Sequence, residues 1–288
     1  MKFTKTLFLL LGTSLIINAS ASAQSSSGKL TLASGQKFQI DNNIQSVINQ
    51  EMMGQSIEIK IDANLVHQVE VKDKKDNSFL LTSTLTRLST KGEAMGQALN
   101  FDSDKKEDME TETGKAVKDQ LNVTKEVEIN ENAKVINGVK IENKPSAGGQ
   151  LMDMVNNMTG GGSDESHGAN AAFEILPAGK KAGDSWSDST ITDEVKTYRN
   201  YTIKEVKGND ATIILTGTQT TRKKVEQQGM EIDVKMEGKL SGEGVVDIAT
   251  GIIRERTTII DGTGSAEMMG QSIPVTTKVT TKTSVTSK

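Results

Sequence analysis

Composition and charge exclude several classes of function before any motif is considered. The chain has 288 residues, a formal net charge of −4, no cysteine, and six Phe, two Tyr and one Trp. It lacks the basic footprint of a nucleic-acid-binding protein, and its aromatic residues are too few to assemble base-stacking platforms. Without cysteine, disulfides, thiolate metal sites and cysteine nucleophiles are excluded, so the fold depends on burial of apolar side chains.

The N-terminal segment has the features of a secretory signal. Lys2 and Lys5 precede an apolar run from Leu7 to Ile17, and Ala21-Ser22-Ala23 has the small residues that a signal peptidase requires. We assign residues 1–23 to a cleavable signal peptide and expect a periplasmic or secreted protein. No transmembrane anchor is expected, because no later segment approaches the roughly 20 apolar residues of a spanning helix.

A seven-residue repeat is the strongest pattern in the chain. The sequence EMMGQSI occurs at Glu51–Ile57 and again, unchanged, at Glu267–Ile273. Each copy leads into a segment with apolar residues at odd positions and polar residues at even ones, which predicts a half-buried strand. The glycine allows the chain to reverse, so we predict a hairpin over Asn43–Ala63 whose tip carries Met52 and Met53.

A second internal similarity links the two halves of the chain. FLLTSTLTR at Phe79–Arg87 resembles ILTGTQTTR at Ile214–Arg222, and each follows a polar turn. We therefore predict an all-β fold with minor α content, built from internally duplicated antiparallel meanders that form a strongly curved sheet or half-barrel with one short helix over its mouth. The first β half spans residues 24–144 and the second spans 171–288, and we expect the two to form one joint domain.

The stretch from Asp102 to Glu112 is dense in carboxylates. A calcium loop would use Asp102, Asp104 and Asp108 as hard oxygen ligands, but their spacing matches no EF-hand and lacks its glycine. We favour a solvated charged loop, because runs of charge usually face water. A short helix is expected after it, over Lys115–Leu121.

Residues 145–170 form a helix and glycine-rich connector between the halves. Between its glycine clusters, Leu151, Met154, Val155 and Met158 recur at the spacing of one face of a short helix. Two interpretations stay open. The helix is either a Met-rich lid that covers an apolar concavity adaptably or a helix that closes the core where the halves meet, and the second is favoured because such a stripe usually lies in a core.

The second half has the pattern of a meander. Phe173–Leu176 is expected to form a strand that stops at Pro177, and Trp186 follows a turn, where a core anchor is favoured over a ligand-stacking residue. Turns at glycines, one of them Gly242, punctuate the strands that follow. We expect these strands at 195–206, 211–222, 230–240, 244–249 and 252–261, before the strand that follows the second EMMGQSI.

The sequence offers little support for catalysis. His67 and His167 are the two histidines; His67 lies on the apolar face of its predicted strand, where a buried, hydrogen-bonded histidine is expected. No G-x-S-x-G elbow and no phosphate-binding P-loop occurs. We therefore expect a protein that is not an enzyme, with no catalytic residue, no metal site and no cofactor.

Several stretches resemble a known group of proteins. The signal peptide, the Met-Gly-Gln hairpin tips, LPAGKKAGDSW at Leu176–Trp186 and the turn at Asp247–Gly251 are similar to uncharacterised exported β-rich envelope proteins of Bacteroidetes-group bacteria. The resemblance covers most of the mature chain and carries over no catalytic residue. Such proteins are similar in outline to half-barrel lipoprotein carriers of the LolA and LolB type, which implies a curved sheet that holds an acyl chain. The absence of a lipobox cysteine departs from an anchored LolB-like form.

Two functions follow as hypotheses. In the first, the protein holds an apolar ligand, such as a lipid acyl chain, in a β concavity. In the second, it is a structural or protein-interaction module of the cell envelope whose methionine tips bind a partner protein. The residues that we expect to contact the ligand or partner are apolar and lie at the tips or on the connector helix: Met52, Met53, Leu151, Met154, Val155, Met158, Met268 and Met269.

Overall fold

The computed structural model describes residues 26–52, 54–94, 97–138, 166–227, 230–268 and 270–288. The predicted signal peptide lies outside the described residues. So do Met53, Met269, the predicted helix with Leu151, Met154, Val155 and Met158, and most of the connector. The predictions made for these residues are therefore left as predictions.

Strands dominate the described chain. The first half contains β1 (Lys37–Met52), β2 (Gln55–Lys74), β3 (Ser78–Ala94), β4 (Gln97–Asp102), β5 (Thr124–Asn130) and β6 (Val135–Asn137), with helices α1 (Lys106–Met109) and α2 (Glu112–Val117) between β4 and β5. A short 3-10 helix, Ala169–Ala172, precedes β7 (Ser185–Ile191), β8 (Val195–Lys207), β9 (Asp210–Gln227), β10 (Met230–Asp247), β11 (Ile252–Met268) and β12 (Gln271–Ser287).

All of these strands belong to one antiparallel sheet of 12 strands. Its order is β6-β5-β3-β2-β1-β12-β11-β10-β9-β8-β7, with β4 paired to β3, so the sheet is open and has edges at β6 and β7. The predicted fold class, all-β with a strongly curved sheet, is confirmed. The two halves meet at β1 and β12, which pair from Phe38 with Ser287 to Gln50 with Val275.

The sheet coils on itself at one end. Side chains from strands near its two edges, such as Val127 on β5 and Ile213 on β9, pack into the same cluster of buried residues. Phe38 and Ile253 are fully buried there, and Leu30 and Phe173 from segments outside the sheet fill the space between. We call this cluster the base core. The hairpins that carry EMMGQSI lie at the opposite end, which we call the tip end.

A second cluster fills the concave face of the first half. Leu85 and Leu88 on β3 and Phe101 on β4 are covered by Val117 of α2 and by Leu121 just after it. Val117 and Leu88 have no exposed surface. We call this cluster the side core, and it closes the concavity over β2 and β3.

Three local predictions were wrong. Phe173–Leu176 is not a strand; Phe173 makes one isolated bridge, to Ile252. Gly242 does not end a strand, because β10 continues through it to Asp247. The carboxylate-rich stretch begins with the last residue of β4 and contains α1, where a loop was expected.

Glycine explains why β10 continues. Gly242 and Gly217 face the concave side, where an added Cβ would collide with the backbone carbonyl of Thr257 or of Tyr198 on the neighbouring strand. The missing side chains let adjacent strands approach and the sheet bend, so glycine here marks curvature and not a turn.

Candidate functional site: the concave face of the second half

Alternation along the strands defines which residues face the concavity. On β2 the odd-numbered residues from Ile61 to Val71 are buried, and the even-numbered ones are more exposed. The register of the neighbouring strands carries this inward face to the even residues of β1, β10 and β11 and the odd residues of β12. The concave face is therefore continuous from the first half into the second.

Toward the tip end, this face carries a continuous band of half-buried apolar residues. It crosses five adjacent strands, and cross-strand pairs such as Val234 with Ala266 and Ile232 with Met268 join its members. We call the band the apolar strip: Ile48, Ile57, Ile59, Ile232, Val234, Met236, Ala266, Met268, Ile273 and Val275. Half-buried apolar residues in a concave surface are typical of a binding site for an apolar ligand.

The concave surface beside the strip is lined by glycines. Gly262 and Gly264 on β11 point inward, and an added Cβ would meet Thr277 at 2.8 Å in the first case and the backbone of β10 in the second. Gly238 on β10 faces Ile260 in the same way, at 3.0 Å. These glycines let the strands approach closely and make room for the neighbouring side chains of Thr277, Met236 and Ile260.

A charged cluster lies beside the base core, on the base side of the apolar strip. Arg256 on β11 contacts the carboxylate of Glu174, Nη1 to Oε2 at 3.3 Å. On β8, Arg199 donates to Asp188 on β7, Nε to Oδ1 at 2.8 Å, and the phenol of Tyr201 lies 3.5 Å from the other oxygen of Asp188.

Burial shapes the protonation of this cluster. The Glu174 carboxyl is 18% exposed, and its removal from water raises its pKa against the opposing charge of Arg256. Burial also raises the pKa of the Tyr201 phenol, to which the nearby Glu174 carboxylate adds. The raised carboxyl pKa favours the neutral form of Glu174 and so lessens the negative charge that faces the two guanidinium groups, whereas the Tyr201 phenol is neutral near pH 7 in either case.

Trp186 lies beside the charged cluster. Its ring stacks on Tyr201 with the centroids 5.0 Å apart and an interplanar angle of 5°. It is half-buried and packs against the base core, which confirms the favoured interpretation of a core anchor. The same position also makes it a neighbour of Arg199.

Two of the predicted methionines, Met52 and Met268, are among the described residues, and both lie at the tip end. Met52 ends β1 and Met268 ends β11, and the two hairpins lie next to each other because β1 pairs with β12. Two related tips were not predicted from the sequence. EAMGQAL at Glu93–Leu99 joins β3 to β4, and EQQGMEI at Glu226–Ile232 joins β9 to β10, so the described ends of four strand pairs with connections of related sequence lie at this end. A search for approximate copies of EMMGQSI would have found both.

The other residues that the sequence singled out have structural partners. His67 is buried at 6% exposure and lies edge to face with His167, with ring centroids 5.8 Å apart, as expected for a core histidine. The Asp102 carboxylate binds Arg87 at 2.9 Å, and Asp108 accepts the backbone N–H of Asp102 at 2.8 Å. These carboxylates therefore bind donors of the protein itself.

The outer face of the first half carries a polar depression of about 290 Å³. Asn64 donates there to Asp41 at 2.7 Å and to Asn43 at 3.0 Å, so its side chains bind one another. It lies on the opposite side of the sheet from the apolar strip.

Fold and concave face together define the class: an all-β protein with one coiled, open antiparallel sheet and an apolar concavity at one end. Sequence comparison adds the family. The chain belongs to DUF6263, a family of unknown function whose model matches residues 76–253. No curated protein sequence matches the chain.

One solved structure is similar in fold. A lipovitellin structure that concerns lipid–protein interactions in lipovitellin matches with a TM-score of 0.52 and 11% identity, over 89% of this chain and 25% of the lipovitellin chain. This chain thus spans about a quarter of the length of that protein. An outer membrane channel from Pseudomonas putida F1 matches 89% of this chain and 97% of its own with 7% identity, but its TM-score of 0.23 is too low to indicate a shared fold. Among the described residues, no helix has the length and apolar character needed to span a bilayer.

Proposed function

We propose that this protein is an exported, non-enzymatic envelope protein that binds an apolar ligand, such as a lipid acyl chain, along the apolar strip of its concave face. The signal-like N-terminal sequence supports export to the periplasm or beyond. The sequence carries neither a nucleophile elbow nor a P-loop, which favours a binding function over an enzymatic one.

The apolar strip is the observation that carries this proposal. On β1 and β2 the inward faces are filled at the side core, where Ile44 and Ile61 are buried, and become half-buried toward the tip end, at Ile48 and Ile59. A sheet face that only closed a core would bury these side chains throughout. The strip instead offers apolar surface in a concave setting, which favours a ligand with an extended hydrocarbon chain.

The fold similarity to lipovitellin also favours a lipid-binding function. That structure concerns lipid–protein interactions, and the match covers most of this chain. At 11% identity the similarity concerns the sheet alone. It adds that a large coiled antiparallel sheet is an architecture found in a lipid-associated protein.

Native mass spectrometry tests the proposal directly. Protein exported by a bacterial host is measured intact, and the bound material is then extracted with solvent and identified. We expect a near-stoichiometric lipid. An empty protein that also fails to bind added fatty acid in titration would contradict the proposal.

Two adjacent residues of β12 provide a matched pair of variants. Val275 faces the concavity and is half-buried, whereas its neighbour Thr276 is exposed on the opposite face. Val275→Lys is expected to weaken fatty-acid binding by about tenfold or more, because it places a charge against the hydrocarbon chain. Thr276→Lys is expected to change it by less than about twofold, and equal effects of the two variants would place the ligand elsewhere.

The interaction-module hypothesis has one observation in its favour, the four related hairpin connections at the tip end. A row of similar hairpins suits repeated contact with a partner surface. Photocrosslinking from Gln55 and Gln271, which begin the strands after two of these connections, separates the hypotheses. A protein crosslink together with an empty concavity would favour the module over the carrier.

A further inference from the structure

The charged cluster at the inner end of the apolar strip is not needed to explain binding of a hydrocarbon chain. We infer that Arg199 and Arg256 form a subsite for the acidic head group of an amphiphile, a carboxylate or a phosphate monoester, whose chain lies along the apolar strip. This inference rests on the proposed function and specifies the chemistry of its ligand.

The position of Arg256 is the first step. Gly244 lies opposite Arg256 in the register of β10 and β11, and a Cβ on Gly244 would lie 3.2 Å from the Cβ of Arg256. The absent side chain therefore makes room for the arginine stem on the concave face.

The donors of the two arginines are the second step. In the described part of the chain, Arg256 makes one contact with a carboxylate, at 3.3 Å, and its side chain remains 28% exposed. Arg199 uses Nε and Nη2 for Asp188 and Thr190 and remains 25% exposed. Each guanidinium has five N–H donors in a planar fork that fits carboxylate and phosphate oxygens, so donors are left for a ligand.

The charge balance supports an anion. Glu174 faces Arg256 from the segment after the 3-10 helix, and Asp188 faces Arg199 from β7. Burial raises the pKa of the Glu174 carboxyl, so its proton is held to higher pH than in water and the cluster becomes more positive as a result. The acidic head group of a ligand would supply the missing negative charge.

The geometry sets the direction of the ligand. The cluster lies beside Tyr201 and Leu215, which form the edge of the base core nearest the strip. Leu240, a buried base-core residue, is level with Arg199, and from there β10 runs past Gly238 to the strip residues Met236, Val234 and Ile232 at the tip end. Eight residues of a strand correspond to roughly 26 Å, which accommodates an extended fatty acyl chain with its methyl end toward the tips.

The lone tryptophan allows the direction to be measured. Trp186 stacks on Tyr201 beside the cluster, so its fluorescence reports on the head-group end. Stearate carrying a doxyl quencher near the carboxylate is expected to quench Trp186 more strongly than stearate carrying it near the methyl end. The reverse order, or equal quenching, would overturn the head-group assignment.

Affinity supplies a second readout. Stearate and stearyl phosphate are expected to bind wild-type protein about tenfold more tightly than stearyl alcohol, which has the same chain without the charge. Arg256→Met should remove this preference while leaving alcohol binding unchanged within about twofold. Arg222→Met is the control, since Arg222 lies exposed on the outer face of β9. If Arg256→Met does not fold, Arg199→Met and the wild-type quenching order provide the test.

The outcomes separate the two proposals. Equal binding of acid and alcohol would overturn the subsite and leave the carrier function intact. Failure of all three amphiphiles to bind would overturn the carrier function itself. Inorganic phosphate alone is expected to bind far more weakly than stearyl phosphate, and equally tight binding of the two would overturn the pairing of head group with chain.

Discussion

The two halves of the sheet treat their concave faces differently. In the first half, Leu88 and Phe101 are covered by Val117 of α2, and the side core closes the space. In the second half, the same face carries half-buried apolar residues, inward-pointing glycines such as Gly217, and the Arg199 and Arg256 cluster. One strand architecture thus supports a filled core on one side and a candidate ligand surface on the other.

The largest expected effect separates buried from half-buried isoleucines of the central strands. Ile44 on β1 has no exposed surface, whereas Ile273 on β12 is half-buried in the apolar strip. Ile44→Ala should lower the free energy of unfolding by about 2–5 kcal/mol, since it leaves a cavity. Ile273→Ala should lower it by less than about 1.5 kcal/mol, because water or ligand already reaches the site. Chemical denaturation measures both, and equal losses would contradict the comparison.

The next effect concerns the glycines of the second half. A Cβ at Gly217 would collide with the backbone carbonyl of Tyr198, whereas one at Gly238 would meet only a methyl group of Ile260, at 3.0 Å. Gly217→Ala is therefore expected to destabilise by about 1–3 kcal/mol. Gly238→Ala should lower the free energy of unfolding by clearly less, because the Ile260 side chain can move away more easily than the backbone of a neighbouring strand. Thermal unfolding of the two variants provides the measurement, and the reverse ranking would contradict the role of Gly217 in bending the sheet.

A pH-dependent effect follows from the charged cluster. Glu174 is faced by Arg256, Arg199, Asp188 and Tyr201, and burial raises its carboxyl pKa above the ordinary 4.5. The native state therefore binds this proton more tightly than the unfolded state, so its contribution to stability is lost as pH rises from about 4.5 through the folded pKa.

Glu174→Gln isolates this contribution. The stability of wild-type protein relative to the variant should fall as the pH is raised from about 4 to about 8, and denaturant titrations at several pH values measure it. A difference that is constant with pH would show that folding does not change the pKa of Glu174, and one that rises with pH would show that folding lowers it.

The smallest effect lies in the first half. Arg87 donates a hydrogen bond to the Asp102 carboxylate, and this bond lowers the pKa of Asp102 below the ordinary 3.8. Asp102→Asn should cost about 0.2–1 kcal/mol at neutral pH, since the pair is partly exposed. The cost should vanish as the pH falls through the lowered pKa, because the carboxylate is then protonated in wild type as well. A variant whose deficit persists in acid would indicate a loss of packing instead.

The strands could be predicted because alternation is a local signal. Odd positions from Ile57 to Val71 are buried or half-buried in the structure, and the hairpin at Met52 lies where the glycine after it allows the reversal. Gly242 was wrongly predicted to end a strand, because the same absence of a side chain serves a turn and a bent strand equally. Which of the two applies depends on a neighbouring strand, and that is not local information.

The candidate site was beyond sequence reasoning for a related reason. Asp188, Arg199 and Arg256 are single charged residues on separate strands, and only the sheet order and its coiling bring them together. No spacing rule connects them. The hairpins that carry EMMGQSI could be predicted because the seven residues repeat identically. The divergent copies that begin at Glu93 and Glu226 were not predicted.

The pairing of β1 with β12 has a consequence for how the molecule assembles. One edge of β1 pairs with β2, its neighbour in sequence, but the other edge pairs with β12, which comes from the opposite end of the chain. Contacts of such long sequence separation slow folding, because the loss of chain entropy precedes the gain in contacts. Until β12 is in place, the long edge of β1 has no partner strand, and unpaired edges of this kind favour aggregation.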